Sequence, residues 1–337
     1  MRLTDRLQAM TMHASARFTV RYGAELTFAG GDLRPERISV PTRHGWVGVH
    51  IYRPAGAPIV GGPAYVHFHG GAWLMRYPQM DEFWCRYVAA TARVTVYNVD
   101  FRTGPYVAYP VAQHQCHDVA AWVAALGGPV VVGGFSSGGG NAASVCLQAR
   151  DEGSFTPVLQ VLGVPALDLA TEVPPGAGMI SPSLRALVRR VYFPDPATRS
   201  EPYASPVLAP DLTGLPPAVV LTAERDTLRR DGLRYVERLR EAGVEVWHDD
   251  TPHADHYLLS ADLERARTTM AETARRIAAA VAAQSAADPA SGTPPVDGWR
   301  RTSAPATALS EGRPTPPSRS ASGPCSPSHR PTRSPTS

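Results

Sequence analysis

The chain has 337 residues, and all 33 of its basic side chains other than histidine are arginine, so chemistry that needs a lysine amine is excluded, from Schiff-base aldolases and Ser-Lys hydrolases to Walker-type phosphate loops. The net charge of +3 belongs to residues 285–337, where six arginines face three acids; the preceding residues carry 27 of each sign and offer no basic field for nucleic acid or acidic lipid.

Taken in chain order, residues 1–35 precede the first clear strand. Runs rich in β-branched and aromatic residues predict strands at 45–52, 64–68, 94–99, 130–132, 158–162, 218–222 and 244–248. Amphipathic or Ala-rich stretches between them predict helices at 81–92, 111–126, 139–150, 228–242 and 261–283. Strand and helix alternate and the inner strands are almost wholly apolar, which predicts a mostly parallel sheet covered on both faces, an α/β catalytic domain over 36–284. The Pro-rich stretch 174–206, with a brief helix near 183–192, reads as an insertion, and together with 1–35 as a small cap over the active face. Its Leu184, Leu187, Val188, Tyr192 and Phe193 fit either an acyl pocket or plain packing of the insertion. Residues 285–337 hold 11 prolines and 11 serines and read as a disordered tail.

Cys85, Cys116, Cys146 and Cys325 are too scattered for a disulfide scaffold or a metal site. No signal-peptide core and no run of 18 apolar residues is present, so the sequence predicts a cytoplasmic protein without integral membrane association. A homodimer stays open.

The chemistry centres on Val130-Val131-Val132-Gly133-Gly134-Phe135-Ser136-Ser137-Gly138-Gly139-Gly140-Asn141. Gly134 to Gly138 match G-x-S-x-G, a tight strand-to-helix turn that lifts the Ser136 hydroxyl above the sheet. Upstream, His67-Phe68-His69-Gly70-Gly71-Ala72-Trp73 follows a strand, and its glycines let backbone N–H groups turn toward developing negative charge. His69 reads as the support of that loop and His67 as a strand residue.

His69 to Trp73 resembles the H-G-G-G-W loop of the hormone-sensitive-lipase-like α/β-hydrolases, which include bacterial carboxylesterases. Asp100-Phe101-Arg102-Thr103-Gly104-Pro105 with Tyr109-Pro110 is similar to a second block of that family, and the run from Ser205 to Pro217 to a third. The resemblance implies an α/β-hydrolase fold with Ser136 as nucleophile, Asp226 of Glu224-Arg225-Asp226-Thr227-Leu228-Arg229 as catalytic carboxylate, and His256 of Asp250-Thr251-Pro252-His253-Ala254-Asp255-His256 as base. Glu224 is the rival acid and His253 the rival base, while Asp231 reads as a solvated charge inside a helix. The oxyanion donors would be Gly70, Gly71, Ala72 and Ser137. The implied reaction is hydrolysis of a small-molecule, short-acyl carboxylic ester without metal or cofactor. A deacetylase of an amide or ester is the close variant, and a non-catalytic receptor on the same scaffold, which would typically have lost Ser136 or His256, is the reading from another class.

Several positions depart from the family pattern, among them Ser137 where Ala is common and Thr103 and Tyr106 where the family has Leu and Glu. Phe135 replaces an Asp, Ala72 replaces the third glycine and one glycine is extra before Asn141, whereas Asp100 and Arg102 are kept and are expected to form an ion pair.

Overall fold

In the computed structural model, the described residues are 1–19, 24–172 and 178–287. They lie in the compact unit Met1–Pro294. The expected tail falls almost wholly outside them, as do residues 174–177 of the expected insertion; of the tail only 285–287 are described, and they end the last helix.

Eight strands form one sheet: β1 (Glu36–Thr42), β2 (Gly45–Tyr52), β3 (Ala64–Phe68), β4 (Thr95–Asp100), β5 (Val130–Phe135), β6 (Leu159–Gly163), β7 (Ala218–Ala223) and β8 (Val246–Thr251). Their spatial order is β1-β2-β4-β3-β5-β6-β7-β8, antiparallel for β1, β2 and β4 and parallel from β4 to β8. The helices are α1 (Leu3–Thr19), α2 (Glu82–Ala92), α3 (Val111–Ala124), α4 (Ser137–Glu152), α5 (Pro182–Val191), α6 (Arg229–Glu241), α7 (Leu258–Ala261) and α8 (Leu263–Ala287).

The unbroken apolar runs have a direct cause. Side chains alternate across a strand, and both faces of this sheet are covered. Val130 and Val132 of β5 enter the core shared with α3, α4, α5 and α6, while Val131 enters the core shared with α2 and α8. In β7, Ala218 and Val220 join the first core, and Val219, Leu221 and Ala223 the second.

All seven expected strands and all five main helices are present, with ends shifted by a few residues. Two elements were hidden in the sequence. β1 carries Glu36, Arg37 and Pro41 and buries only Val40, because it is an edge strand whose outer side faces solvent. α1 packs against α5, where Arg190 grips both oxygens of Asp5 at 2.9 and 3.0 Å. Helix α4 begins at Ser137, two residues earlier than expected, so the glycine run lies inside the helix.

The expected Asp100–Arg102 ion pair is replaced. Asp100 accepts two hydrogen bonds from Arg76, at 2.7 and 2.8 Å, and the Arg102 amide donates to Gln115. Arg76 stands closer to Asp100 in space than in sequence, and no local pattern marks it. Cys85, Cys116 and Cys146 are buried free thiols, and burial pushes each above the ordinary thiol range.

Candidate active site

β5 is flanked by β3 and β6, and its carboxyl end delivers Ser136 at the top of the sheet. Ser136 has φ 56° and ψ −118°, a sparsely populated backbone state for a residue with a Cβ, and its surroundings hold it there. Its N–H donates to the Gly163 carbonyl at 2.8 Å, and its own carbonyl accepts from Gly140 and Ala166.

The glycines around it are sterically required. A Cβ on Gly138 would lie 1.9 Å from the Phe68 carbonyl oxygen, and one on Gly134 would lie 2.3 Å from the same atom. The extra glycine has a reason as well: a Cβ on Gly140 would lie 2.4 Å from the Ala166 oxygen and 3.1 Å from the Trp73 ring. Phe135, in place of the family's Asp, is matched across the sheet by Gly163, where a Cβ would fall 2.2 Å from the Phe135 ring.

The loop after β3 is shaped by Gly71 (φ 112°), Ala72 (φ 56°) and Trp73 (φ 53°). Ala72 thus occupies the left-handed region with its Cβ in place. Trp73 anchors the loop, donating from Nε1 to Asn141 Oδ1 of α4 at 2.9 Å and stacking on Tyr192. Neither Trp73 nor Asn141 was singled out in the sequence for this purpose.

The Gly70 amide donates to Asp81 Oδ2 at 3.2 Å, which removes it from the expected oxyanion donors. Asp81 also accepts from His67 Nε2 at 3.0 Å, and the Tyr65 hydroxyl lies 3.2 Å from His67 Nδ1. His67 is therefore more than a strand residue: it holds the carboxylate that pins the loop. The amides of Gly71, Ala72 and Ser137 have no acceptor among the described residues. They remain the candidate donors.

His69 is fully buried, donates from Nδ1 to the Gly70 carbonyl at 2.7 Å and stacks on Phe101 with ring centroids 4.3 Å apart. Burial lowers it to about 4, so it is neutral at pH 7 and fit for the supporting part expected of it.

Asp226 and His256 come together at the ends of β7 and β8. Asp226 Oδ2 accepts from His256 Nδ1 at 2.8 Å, and its Oδ1 accepts from the Leu228 amide at 3.0 Å. Both residues are buried, and the bond fixes the tautomer that leaves His256 Nε2 free as a base. The rivals occupy one another instead: the His253 amide donates to Glu224 Oε2, its Nδ1 lies 3.2 Å from the same oxygen, and both side chains are exposed. Ser136 and His256 are not hydrogen-bonded to each other, and such a contact commonly tightens only when substrate binds.

Met179 and Ile180 hold both loops. Asp255, next to His256, accepts from the Met179 amide, and Thr227, next to Asp226, donates to the Ile180 carbonyl. α5 then lays Leu184 and Val188 over the serine, where they line a narrow pocket with Ser136, while Leu187, Tyr192 and Phe193 join the core. Of the five residues, Leu184 and Val188 thus line a pocket beside Ser136, and Val188 also belongs to the core with the other three.

Asp231 is a correction. It is 4% exposed rather than solvated, lines the same pocket, and accepts from the amides of Leu167 and Asp168. Burial raises its carboxyl to about 7.

Among the described residues, no group of three or more His, Cys, Asp or Glu is arranged to hold a metal ion, and no helix is long and apolar enough to cross a membrane.

A mostly parallel sheet that lifts a strained serine onto a helix N-terminus, with a buried Asp–His pair at the ends of β7 and β8, defines an α/β-hydrolase. The family described as alpha/beta hydrolase fold matches residues 65–260, and the chain belongs to it. It is 32% identical to the carboxylic ester hydrolase LipN of Mycobacterium tuberculosis over 228 residues, 62% of this chain and 60% of LipN. It is 30% identical to an arylesterase of Saccharolobus solfataricus over 201 residues, 53% of this chain and 62% of that protein. The matches thus span about three-fifths of these two relatives. The structure of an esterase of Pyrobaculum calidifontis superposes with a TM-score of 0.70 at 30% identity, covering 82% of this chain and 94% of that one.

Proposed function

We propose that the protein is a serine carboxylesterase that hydrolyses short-acyl esters through an acyl-enzyme. The observation that carries this reading is the buried Asp226–His256 pair, which presents Nε2 as a base at the end of the sheet that also carries the strained Ser136. Similarity to a carboxylic ester hydrolase, an arylesterase and an esterase structure supports the bond type.

In this mechanism His256 removes the Ser136 proton as the hydroxyl attacks the ester carbonyl, while Asp226 holds the ring and stabilises the imidazolium. The amides of Gly71, Ala72 and Ser137 receive the oxyanion, a contribution worth about 3 kcal/mol per donor in comparable sites. His256 then protonates the leaving alcohol, and water releases the acid by the same steps in reverse.

The pocket beside Ser136 does not include His256 in its lining, so a leaving group that must reach His256 lies elsewhere and the pocket takes the acyl group. Its volume is about 40 Å³. At roughly 10–15 Å³ per water that equals about three waters, room for an acyl chain of two to four carbons. A panel of p-nitrophenyl esters from acetate to dodecanoate tests this. kcat/KM is expected to peak at acetate to butyrate and to fall at least about tenfold by octanoate; a maximum at octanoate or longer would contradict the short-acyl reading.

A further inference from the structure

The pocket beside Ser136 is not purely apolar. Arg185 of α5, Arg189, Asp168 and Asp231 line it together with Leu184 and Val188. Three of those four charges are occupied by the protein itself. Arg189 donates to the carbonyls of Leu169 and Thr171. Asp168 accepts from the amides of Ala170 and Thr171 and pairs with Arg234 at 3.4 Å. Asp231 accepts from two amides of the loop after β6.

Arg185 is the exception. Among the described residues its guanidinium has no hydrogen-bond or ion-pair partner, and its Nη1 is buried without one. The Ser137 hydroxyl, in the same lining, is likewise buried and unpartnered. Buried donors without acceptors are costly, and a guanidinium is the side chain best shaped to grip a carboxylate. The Arg185 charge draws the Asp231 carboxyl down, but burial outweighs it and raises that carboxyl to about 7, so Asp231 offsets the guanidinium only in part and without a contact.

We propose that the acyl pocket recognises a carboxylate, with Arg185 as the specificity-determining residue, so that the substrates are half-esters of short dicarboxylic acids. This rests on the esterase reading above. A methylene and a carboxylate beyond the reacting carbonyl, as in a malonyl group, match the volume of about three waters. Ser136 displaces the alcohol, which leaves with the proton from His256, and water then splits the acyl-enzyme ester to release the dicarboxylate and free Ser136; the recognising carboxylate itself does not react.

The test compares monoethyl malonate with ethyl malonamate, a neutral isostere, and with ethyl butyrate, all read by alcohol release. The amide activates the ester carbonyl more than a carboxylate does, so intrinsic reactivity works against the expected result. Wild type is expected to show a kcat/KM for the half-ester at least about tenfold above that for the malonamate, a ratio that falls to about one in Arg185→Gln and is kept in part in Arg185→Lys. A wild-type ratio of one or below overturns the proposal without any variant, as does a ratio unchanged in Arg185→Gln. Hydrolysis of ethyl butyrate with no preference for the half-ester would remove the proposal and leave the esterase standing. Hydrolysis of none of the three would remove both.

Discussion

Ser136→Ala is expected to lower kcat for p-nitrophenyl acetate by roughly 10⁵-fold or more, and adding His256→Ala to it to remove almost nothing further. The reason is that the triad acts as one unit: without the hydroxyl, a positioned imidazole has no proton to take. Asp226→Asn keeps the shape but disfavours the Nδ1–H tautomer that the 2.8 Å bond now selects, and a loss of roughly 10⁴-fold is expected. Glu224→Gln and His253→Ala, which disrupt only the exposed pair, are expected to stay within about threefold of wild type. Steady-state kinetics on the five variants decides between the two acid–base pairs. A large loss from Glu224→Gln or His253→Ala with a small one from Asp226→Asn would reverse the assignment.

The second large effect is on stability. In Gly138→Ala the new methyl carbon would lie 1.9 Å from the Phe68 carbonyl oxygen and 2.7 Å from that of His69. Both are backbone atoms at the root of the loop that carries the candidate oxyanion donors, so neither can swing aside as a side chain would. A destabilisation of about 3 kcal/mol or more is expected, which in a domain of this size lowers Tm by roughly 6–12 °C. Gly153→Ala is the matched control. Gly153 ends α4 in the left-handed region with open space around it, so only the conformational cost of about 1 kcal/mol applies. Thermal melts of the two variants side by side test the point, and equal melting temperatures would show that the close approach is not real.

These two expectations trace to residues whose importance differed in how openly the sequence displayed it. The elbow from Gly134 to Gly138 was legible because tight backbone passage admits few residues, and the order Ser136, Asp226, His256 followed from blocks at family spacing. The alternating faces of β5 and β7 were legible as unbroken apolar runs. What stayed hidden was set by contacts between distant segments. Asp81 looked like an ordinary helix start, yet it joins His67 to the Gly70 amide. Trp73 and Asn141, 68 positions apart, meet across the site. Asp231 shows a helical spacing typical of a solvent-facing acid, but the loop after β6 folds over it and supplies two amides. Edge strand β1 carries charges and a proline because half of it faces water, which removes the periodic signal that the inner strands display.

The lysine-free composition agrees with the chemistry proposed: it needs a hydroxyl, an imidazole, a carboxylate and backbone amides, and the guanidinium of Arg185 for specificity. The most direct measurement of the central claim is the intact mass of the protein after treatment with a p-nitrophenyl alkylphosphonate, followed by fragmentation of the arginine-bounded peptide Thr103–Arg150. One phosphonyl group per chain, located on Ser136, rising in step with loss of esterase activity and absent from Ser136→Ala, is the predicted result. Continued ester hydrolysis with Ser136 unmodified, or an adduct on another residue that tracks the loss of activity, would contradict it.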